Sequence, residues 1–408
     1  MGYTPPVPRY FNRKGVFSVI QFLLQHILPP GCSPDDPEVR RRCGTLSGGV
    51  GVFLNLLLCT AKGVCAALTG SVAMAADAVN NLSDAASSVM TLVGFRLAGQ
   101  KADEGHPFGH GRMEYLTGLL VALAILLMGV EVGRSAAEKI LHPELPGFSW
   151  AAAGLLAAAI GVKLWMFRFN RALGRAIASP AMEAAAADSL SDAVSTGVVL
   201  LSALAGRFTG VPVDGFAGLL VAAFILKTGW DAAKDTADPL LGRPMSPELA
   251  GEIDRLVLEH PGILGIHDLV YHDYGPGRAM MSFHAEVPAQ ATLSQVHAMI
   301  DHIERELEQR FRIETVIHMD PVEDDPRTRA LRLQVEQLAR DIDPSLTVHD
   351  LRAGAPQDGE LSFDVMVPYR FRLTDQEVRE ALERRLLELL PSCRARIQID
   401  HSYIGDEA

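Results

Sequence analysis

The sequence predicts an α-helical membrane part followed by a soluble α+β part. Hydrophobic residues make up 48% of the 408 residues, and only 21% are charged. The apolar residues are clustered, because the long charge-poor windows all precede about Asp231 and the chain beyond it is densely charged. A chain divided in this way is expected to place its first half in a lipid bilayer and its second half in water.

Six segments of the first half are long and apolar enough to cross a membrane. A helix needs about 20 mainly apolar residues to span the hydrocarbon core. We therefore predict six transmembrane helices. They are Leu46–Leu68, Val72–Leu97, Met113–Ala137, Phe148–Phe169, Glu183–Gly206 and Asp214–Ala233.

Basic residues indicate which loops are cytoplasmic, since short cytoplasmic loops are enriched in lysine and arginine. Three groups lie in alternate loops: Arg40, Arg41 and Arg42; Arg96, Lys101 and Arg112; Arg168, Arg171 and Arg175. The other loops are poorer in basic residues. We therefore expect a multi-pass protein with both termini in the cytoplasm, in the plasma membrane of a bacterium.

The soluble part shows an α-β-β-α-β pattern that occurs twice. The first copy is predicted as helix Ser246–His260, strands Leu264–Tyr274 and Arg278–Val287, helix Thr292–Arg310 and strand Ile313–Met319. The second is predicted as helix Thr328–Asp341, strands Ser345–Arg352 and Glu360–Val367, helix Thr374–Leu390 and strand Arg394–His401. The run Ile266-His267-Asp268-Leu269 is echoed by Val348-His349-Asp350-Leu351. We therefore predict a ferredoxin-like domain duplicated in tandem.

These patterns divide the chain into four parts. They are an N-terminal cytoplasmic segment (1–42), a six-helix transmembrane domain (43–240), a first soluble repeat (241–324) and a second (325–408). Within the N-terminal segment, Phe17–Leu28 is apolar but too short to span a membrane. We favour an amphipathic helix at the membrane interface, with a partner-contacting helix or disorder as alternatives.

Two predicted spans carry pairs of polar side chains at positions i and i+4, which project from the same helix face. Asp188 and Asp192 form one pair, and Asn80 and Asp84 form the other. A carboxylate in the membrane costs about 2.5 to 3.5 kcal/mol on insertion scales, so it indicates a partner or a function. Packed together, the two pairs predict an oxygen-lined site for a divalent cation. Alternatives are helix-packing polar contacts and a carboxylate pair that shares a proton or binds an arginine.

Asp77 lies near the same stripe, either as a further ligand or as a structural residue. In the loop after the second span, Asp103, His106 and His110 have metal-ligand spacing at i, i+3 and i+7. The alternative for that loop is a turn that only shapes the bend.

Composition and motifs exclude several functional classes. The net charge of −12 disfavours a nucleic-acid partner. The five cysteines show no CxxC pair. No HExxH, GxSxG or Walker-type motif is present, so we expect neither an enzyme nor an ATP-driven pump, and no organic cofactor.

In combination, the spans, the polar pairs, the Asp103-Glu-Gly-His106-Pro-Phe-Gly-His110-Gly loop and the ferredoxin-like domain resemble the cation diffusion facilitator family of metal/proton antiporters. The resemblance covers about Arg42 to Glu323. It implies a homodimer that rocks between inward and outward states and exports a divalent transition metal from the cytoplasm in exchange for protons.

The resemblance also implies roles for particular residues. The transport ligands correspond to Asn80, Asp84, Asp188 and Asp192, and a second metal corresponds to the Asp103 loop. The cytoplasmic metal sites correspond to His267, His284, His297, His318 and Asp320. Arg112 corresponds to a basic residue that pairs with Asp238 at the dimer hinge, with a free surface charge as the alternative. Such cytoplasmic sites imply that the metal is a regulatory ligand as well as the substrate.

The second repeat departs from this pattern, because the counterparts of His284 and His297 are not histidine. It holds His349, Asp364, Asp400 and His401 near equivalent places. We favour a structural or dimer-extending role for it, with an altered metal site as the alternative.

The metal preference depends on Asn80. Zinc-type members usually carry a histidine on one or both of these helices, whereas this quartet offers only oxygen ligands. Oxygen suits Mn²⁺ better than Zn²⁺, so the chain resembles the manganese-exporting branch, with Zn²⁺, Fe²⁺ or Cd²⁺ as alternatives. A non-transporting, metal-sensing partner subunit is a further alternative, but it would not need an intact quartet.

Overall fold

The computed structural model describes residues 36–69, 72–142, 149–209, 214–323, 325–353, 360–369, 371–391 and 394–401. The predicted amphipathic helix at Phe17–Leu28 lies outside these ranges. The chain forms two compact units. One extends to Gly242 and includes Tyr274–Arg278, and the other holds Arg243–Asp273 and the residues from Ala279 onward.

Long helices make up the first unit. They are α1 (Pro37–Thr69), α2 (Val72–Ala98), α3 (Met113–Leu141), α4 (Trp150–Ala176), α5 (Pro180–Thr209) and α6 (Asp214–Leu241). Among the described residues, five helical segments are long and apolar enough to span a membrane, and they belong to α1, α3, α4, α5 and α6. Helix α2 forms where a span is predicted but is not among the five, since it carries Asp77, Asp84, Arg96 and two asparagines.

Small residues allow these helices to approach closely. A Cβ atom added to Gly44 of α1 would lie 2.0 Å from the Phe95 ring on α2, and one added to Gly94 of α2 would lie 1.8 Å from Thr117 Oγ1 on α3. A buried ion pair adds to the packing. Arg40 Nη2 lies 2.6 Å from Glu114 Oε1, and both side chains are at most 5% exposed. Arg40, which the sequence marks as a loop residue, therefore lies inside the helix bundle.

The second unit begins with the first repeat. It consists of α7 (Pro247–Leu258), β1 (Gly265–Asp273), β2 (Ala279–Pro288), α8 (Leu293–Phe311) and β3 (Ile313–Val322). The sheet order is β1-β2-β3, with β1 antiparallel and β3 parallel to β2. Apolar side chains of both helices and all three strands form one core, which includes Ile253, Phe283 and Ile303.

The second repeat follows the same order. It consists of α9 (Pro326–Arg340), β4 (Thr347–Ala353), β5 (Glu360–Val367), α10 (Asp375–Leu389) and β6 (Arg394–His401), with sheet order β4-β5-β6 and the same strand directions. It has its own core around Phe363 and Val378. The observed elements agree with the predicted ones to within a few residues.

The first strand of each sheet has an irregularity at the same place. The register shifts between His267 and Val270 in β1 and between His349 and Arg352 in β4. Asp268 and Asp350 occupy the left-handed region there, with φ angles of 53° and 47°. Aspartate tolerates this conformation better than most residues. Each bulge changes the direction of nearby side chains, and the two bulges lie at matching positions of the two repeats.

Candidate metal sites

Two aspartates from different helices meet at one cation inside the first unit. The Lys163 ammonium, on α4, donates hydrogen bonds to Asp84 Oδ2 on α2 (2.7 Å) and to Asp192 Oδ2 on α5 (2.5 Å). All three side chains are at most 9% exposed. Buried charges of this kind persist only when they are paired. The structure therefore brings together one member of each predicted pair, around a cation that belongs to the chain itself.

Asp188 lies next to this group. It is close enough to Asp84, Asp192 and Lys163 to interact with them electrostatically. It also lines a polar cleft of about 20 Å³, to which α1, α2, α4 and α5 contribute polar side chains that include Ser47, Asn55, Ser88, Asn170 and Ser189. The cleft can hold about one water-sized group, and its polar lining gives such a group hydrogen-bond partners.

Asn80 is not brought into this group. Its side chain is exposed on α2, one turn before Asp84. The neighbouring Asn81 is buried instead, and its amide donates to the Asp77 carbonyl oxygen (2.9 Å). Asp77 is engaged elsewhere, because Lys62 Nζ of α1 lies 2.8 Å from Asp77 Oδ2. That ion pair favours the structural alternative for Asp77.

The two lysines are the residues that the sequence analysis missed. Lys62 and Lys163 each place a positive charge in a predicted span of mainly apolar residues. The insertion cost that identified the aspartates applies equally to a lysine. The same argument, applied to both signs of charge, could have found them.

The loop after α2 brings its three predicted ligands together. Ligand atoms of Asp103, His106 and His110 all lie within 4.8 Å of one another. Asp103 Oδ1 accepts hydrogen bonds from the backbone N–H groups of His106 (2.8 Å) and Gly105 (3.0 Å), which lower the pKa of its carboxyl. His110 Nδ1 is buried without a hydrogen-bond partner. A carboxylate and two imidazoles in this arrangement can bind a metal.

Arg112 follows this loop. Its guanidinium carbon lies 4.6 Å from the centre of the Tyr274 ring, in cation–π geometry. Its hinge pair with Asp238 stays a prediction.

In the first repeat, three of the four predicted histidine ligands surround Asp320, the fifth predicted ligand. His284 Nδ1 lies 2.7 Å, and His267 Nε2 3.5 Å, from Asp320 Oδ2, while His318 Nε2 lies 3.7 Å from Asp320 Oδ1. The sheet register explains the grouping, because His267, His284 and His318 are Cα partners on adjacent strands. His297 is exposed on α8, and the ring contacts and ion pairs of the described residues do not include it.

Neighbouring charges shift the pKa values of His267 and Asp268 at the edge of this cluster. Burial lowers the pKa of His267, but its hydrogen bond to Asp268 and the charges of Asp268 and Asp320 outweigh burial and raise it overall. The hydrogen bond from His267 and the nearby His349 imidazole hold the pKa of Asp268 far below its usual value. A metal that binds His267 must therefore displace a proton from a favourable ion pair.

Comparison with known proteins agrees with this geometry. Residues 50–241 match the model of the cation efflux transmembrane domain, and residues 245–322 match that of the cation efflux protein cytoplasmic domain, a dimerization domain.

Three relatives are similar to about two thirds of this chain. An uncharacterized transporter of Methanocaldococcus jannaschii is 30% identical over 66% of this chain and 95% of its own length. The manganese efflux system protein MneS of Bacillus subtilis is 27% identical over 67% of this chain and 94% of its own. The cation-efflux pump FieF of Yersinia enterocolitica is 29% identical over 64% of this chain and 87% of its own.

These matches extend over both folded units and include the helices that carry Asp84, Lys163 and Asp192. The relatives are membrane transporters, which confirms the expectation that the chain is not an enzyme. The resemblance first inferred from the polar pairs is confirmed as well: this chain belongs to the cation diffusion facilitator family of cation-efflux transporters.

Proposed function

We propose that this protein exports Mn²⁺ from the cytoplasm in exchange for protons, by alternating access of the site around Asp84, Asp188 and Asp192. The observation that carries the proposal is the convergence of Asp84 and Asp192 on one buried cation. Their donor atoms are oxygens, which suit Mn²⁺. The similarity to a manganese efflux protein points the same way.

Lys163 has a role in this mechanism. Its ammonium holds the two carboxylates together when no metal is bound, and it must withdraw before a metal can bind both of them. When Asp84, Asp188 and Asp192 are ionised and Lys163 is protonated, their net charge is −2. One divalent ion neutralises this charge, and so do two protons on the carboxylates. The charge balance therefore favours the exchange of one metal ion for two protons.

The cleft beside Asp188 supplies a route to the site. Its lining residues lie in the half of the bundle near the N-terminal ends of α1 and α5 and the C-terminal ends of α2 and α4. In the predicted orientation, with both termini in the cytoplasm, this half faces the cytoplasm. Metal would enter from that side with the carboxylates ionised, and protons would displace it on the other side.

We infer six membrane spans for the working transporter, with α2 as the sixth. Helix α2 carries Asp84 into the bundle and contacts both α1 and α3, so it belongs to the same layer. We also propose that the protein is a homodimer in the bacterial plasma membrane. The two α-β-β-α-β units with matching sheet order, bulges and sequence runs support a tandem duplication.

The histidine clusters are proposed as regulatory metal sites. The Asp103 loop and the group around Asp320 offer imidazole nitrogens that the membrane site lacks. Metal bound to the dimerization domain would report the cytoplasmic metal concentration and stabilise the dimer. We keep Asn80 as a transport ligand that joins the carboxylates when the site opens, and Arg112 with Asp238 as a hinge pair of the other conformation.

Zn²⁺, Fe²⁺ or Cd²⁺ export is the second candidate. The similarity to FieF, a cation-efflux pump, favours this candidate. The absence of imidazole among the described neighbours of Lys163 argues against zinc.

The test uses the full chain in proteoliposomes that enclose a pH-sensitive dye. Mn²⁺, Zn²⁺, Fe²⁺ and Cd²⁺ are presented in turn, and the metal-driven proton flux is recorded. We expect flux with Mn²⁺ at the lowest concentration and none in empty liposomes. If none of the four metals drives a proton flux, the antiporter proposal is contradicted. If Zn²⁺ drives the flux at a lower concentration than Mn²⁺, the assigned substrate is contradicted.

A further inference from the structure

The second repeat contains a cluster that matches the metal-ligand cluster of the first. His349 on β4, Asp364 on β5 and Asp400 on β6 have ligand atoms within 4.8 Å of one another. His349 and Asp364 are Cα partners, as are His267 and His284 in the first repeat. Asp400 lies on β6 opposite Met366, two residues beyond Asp364, just as Asp320 lies opposite Glu286, two residues beyond His284. The second repeat therefore keeps the geometry but has aspartate in place of one histidine.

The two clusters meet at the boundary between the repeats. The rings of His267 and His349 are 4.6 Å apart. His349 Nε2 lies 3.5 Å from Asp268 Oδ1 of the first repeat and 3.8 Å from Asp400 Oδ2 of its own repeat. One imidazole thus faces carboxylates from both repeats.

Ion pairs hold this boundary in place. Arg332 Nη1 of α9 donates to Glu286 Oε2 on β2 (2.8 Å), and Arg352 Nη2 of β4 donates to Asp320 Oδ1 on β3 (3.0 Å). The Glu286 and Asp320 side chains are at most 6% exposed. The repeats are therefore fixed against each other close to the cluster, and the ligand groups do not need large movements to meet.

The imidazole aimed into the cluster lacks a hydrogen-bond partner. The His349 side chain is only 10% exposed, and its Nε2 atom is buried without a partner. A buried polar atom left unpaired is costly, so native structures rarely keep one without a reason. A metal ion at the centre of the three carboxylates would accept the Nε2 lone pair and neutralise their charge.

We propose that the second repeat binds a divalent metal ion through His349, Asp364 and Asp400, with Asp268 of the first repeat as a fourth ligand from across the boundary. One imidazole and three carboxylates form a harder donor set than the three histidines and one aspartate of the first repeat. The site accepts Mn²⁺ as well as Zn²⁺. The bound metal would join the two repeats within one chain, so the second repeat would add a metal-dependent contact to the dimerization domain.

The competing arrangement needs no metal. A protonated His349 could bridge Asp268 and Asp400 as an imidazolium, and the cluster would then be a buried ion-pair network. The two cases differ in the number of metal ions that the chain binds, which can be counted without measuring transport.

The experiment counts metal on the full chain in detergent. The protein is dialysed to equilibrium against Zn²⁺ or Mn²⁺, and the bound metal per chain is determined by elemental analysis. The double variant Asp364→Asn/Asp400→Asn keeps side-chain shape but removes two charged ligands. We expect it to bind one metal ion fewer per chain than the unchanged protein, with the same circular dichroism spectrum and elution volume. The same metal count would overturn the proposal.

Two further variants make the result specific. Glu388→Gln changes an exposed carboxylate of α10 and should leave the metal count unchanged. Asp364→His gives the second repeat the histidine that the first repeat has at this register, and we expect it to bind Zn²⁺ about tenfold more tightly by isothermal titration. Unchanged Zn²⁺ affinity in Asp364→His would contradict the proposal even if the double variant did not fold. Neither readout depends on the transported ion. The metal site of the second repeat can therefore be rejected while the export function stands, and the export function can be rejected while the metal site stands.

Discussion

The membrane site and the soluble clusters satisfy their charged groups in opposite ways. Around Asp84 and Asp192, the chain supplies its own cation, and Lys163 occupies the place between the carboxylates. In the soluble unit, His267 and His349 each keep a buried nitrogen with no hydrogen-bond partner. In the proposed mechanism, the first arrangement would let a metal come and go, because Lys163 would replace it each time. The second would favour a metal that stays, because these unpaired nitrogens are available as ligands.

The two soluble repeats offer a second comparison. They share strand order and bulges. At three paired strand positions, however, the first has imidazoles where the second has imidazole, carboxylate and amide, from His349, Asp364 and Gln398. The same strand arrangement with different donor atoms would give different metal preferences. The fold therefore sets where the candidate ligands lie, and single side chains would set which ion they prefer.

The largest expected effect is on transport, from Asp192→Asn. The amide lacks the negative charge that binds Lys163 and, in the proposed mechanism, the metal. We therefore expect the metal-driven proton flux in proteoliposomes to fall at least about 100-fold, equivalent to about 2.7 kcal/mol. The control is Asp231→Asn, an exposed residue of α6 paired with Lys227. Equal flux in the Asp192 variant would mean that the buried site is not the transport site.

Lys163→Met tests whether the internal cation competes with the metal. Without the ammonium, Mn²⁺ no longer displaces a partner, and we expect its apparent affinity to increase about tenfold, or 1.4 kcal/mol. The metal-free protein should lose stability, since two buried carboxylates lose their partner. Thermal unfolding with and without Mn²⁺ measures both effects, and Lys227→Met is the exposed control. Mn²⁺ affinity that does not change would show that Lys163 is only structural.

Asn80→His tests the ion preference of the membrane site. Imidazole favours Zn²⁺, so we expect the ratio of Zn²⁺ to Mn²⁺ transport to increase several-fold. The flux assay with both metals provides the measurement, and Ser83→Ala, an exposed neighbour on α2, is the control. A ratio that stays constant would fit the exposed position of Asn80 in this structure and would remove it from the ligand set.

The smallest expected effect concerns pH and the soluble unit. In the metal-free state, the raised pKa of His267 means that its ion pair with Asp268 is fully formed below about pH 6.5 and is lost as pH rises through the raised value. The lowered pKa of Asp268 means that the pair is lost on the acid side only at very low pH. Asp268→Asn should therefore destabilise the protein by about 1 kcal/mol at pH 6 and by less at pH 9.

Urea unfolding of the full chain in detergent with a chelator measures this difference. Asp301→Asn, in an exposed ion pair with Arg305 on α8, should have almost no effect at either pH. A loss of stability that is equal at pH 6 and pH 9 would contradict the ion pair between His267 and Asp268.

The sequence by itself determined the division into a helical and an α+β part, the two matching α-β-β-α-β units and the aspartates that cost too much to be accidental in a membrane. These are local signals, because hydropathy, strand alternation and i, i+4 spacing depend on neighbouring residues. The Asp103 loop is local in the same sense, and its ligands lie together as expected.

Only the tertiary structure decided which groups pair across the fold. Lys163 and Lys62 lie far in sequence from Asp84 and Asp77, and no periodicity connects them. The meeting of His267 with His349 depends on how two separately folded sheets pack. Burial makes these pairings strong, because a charge or an imidazole removed from water must find a partner wherever the packed chain provides one.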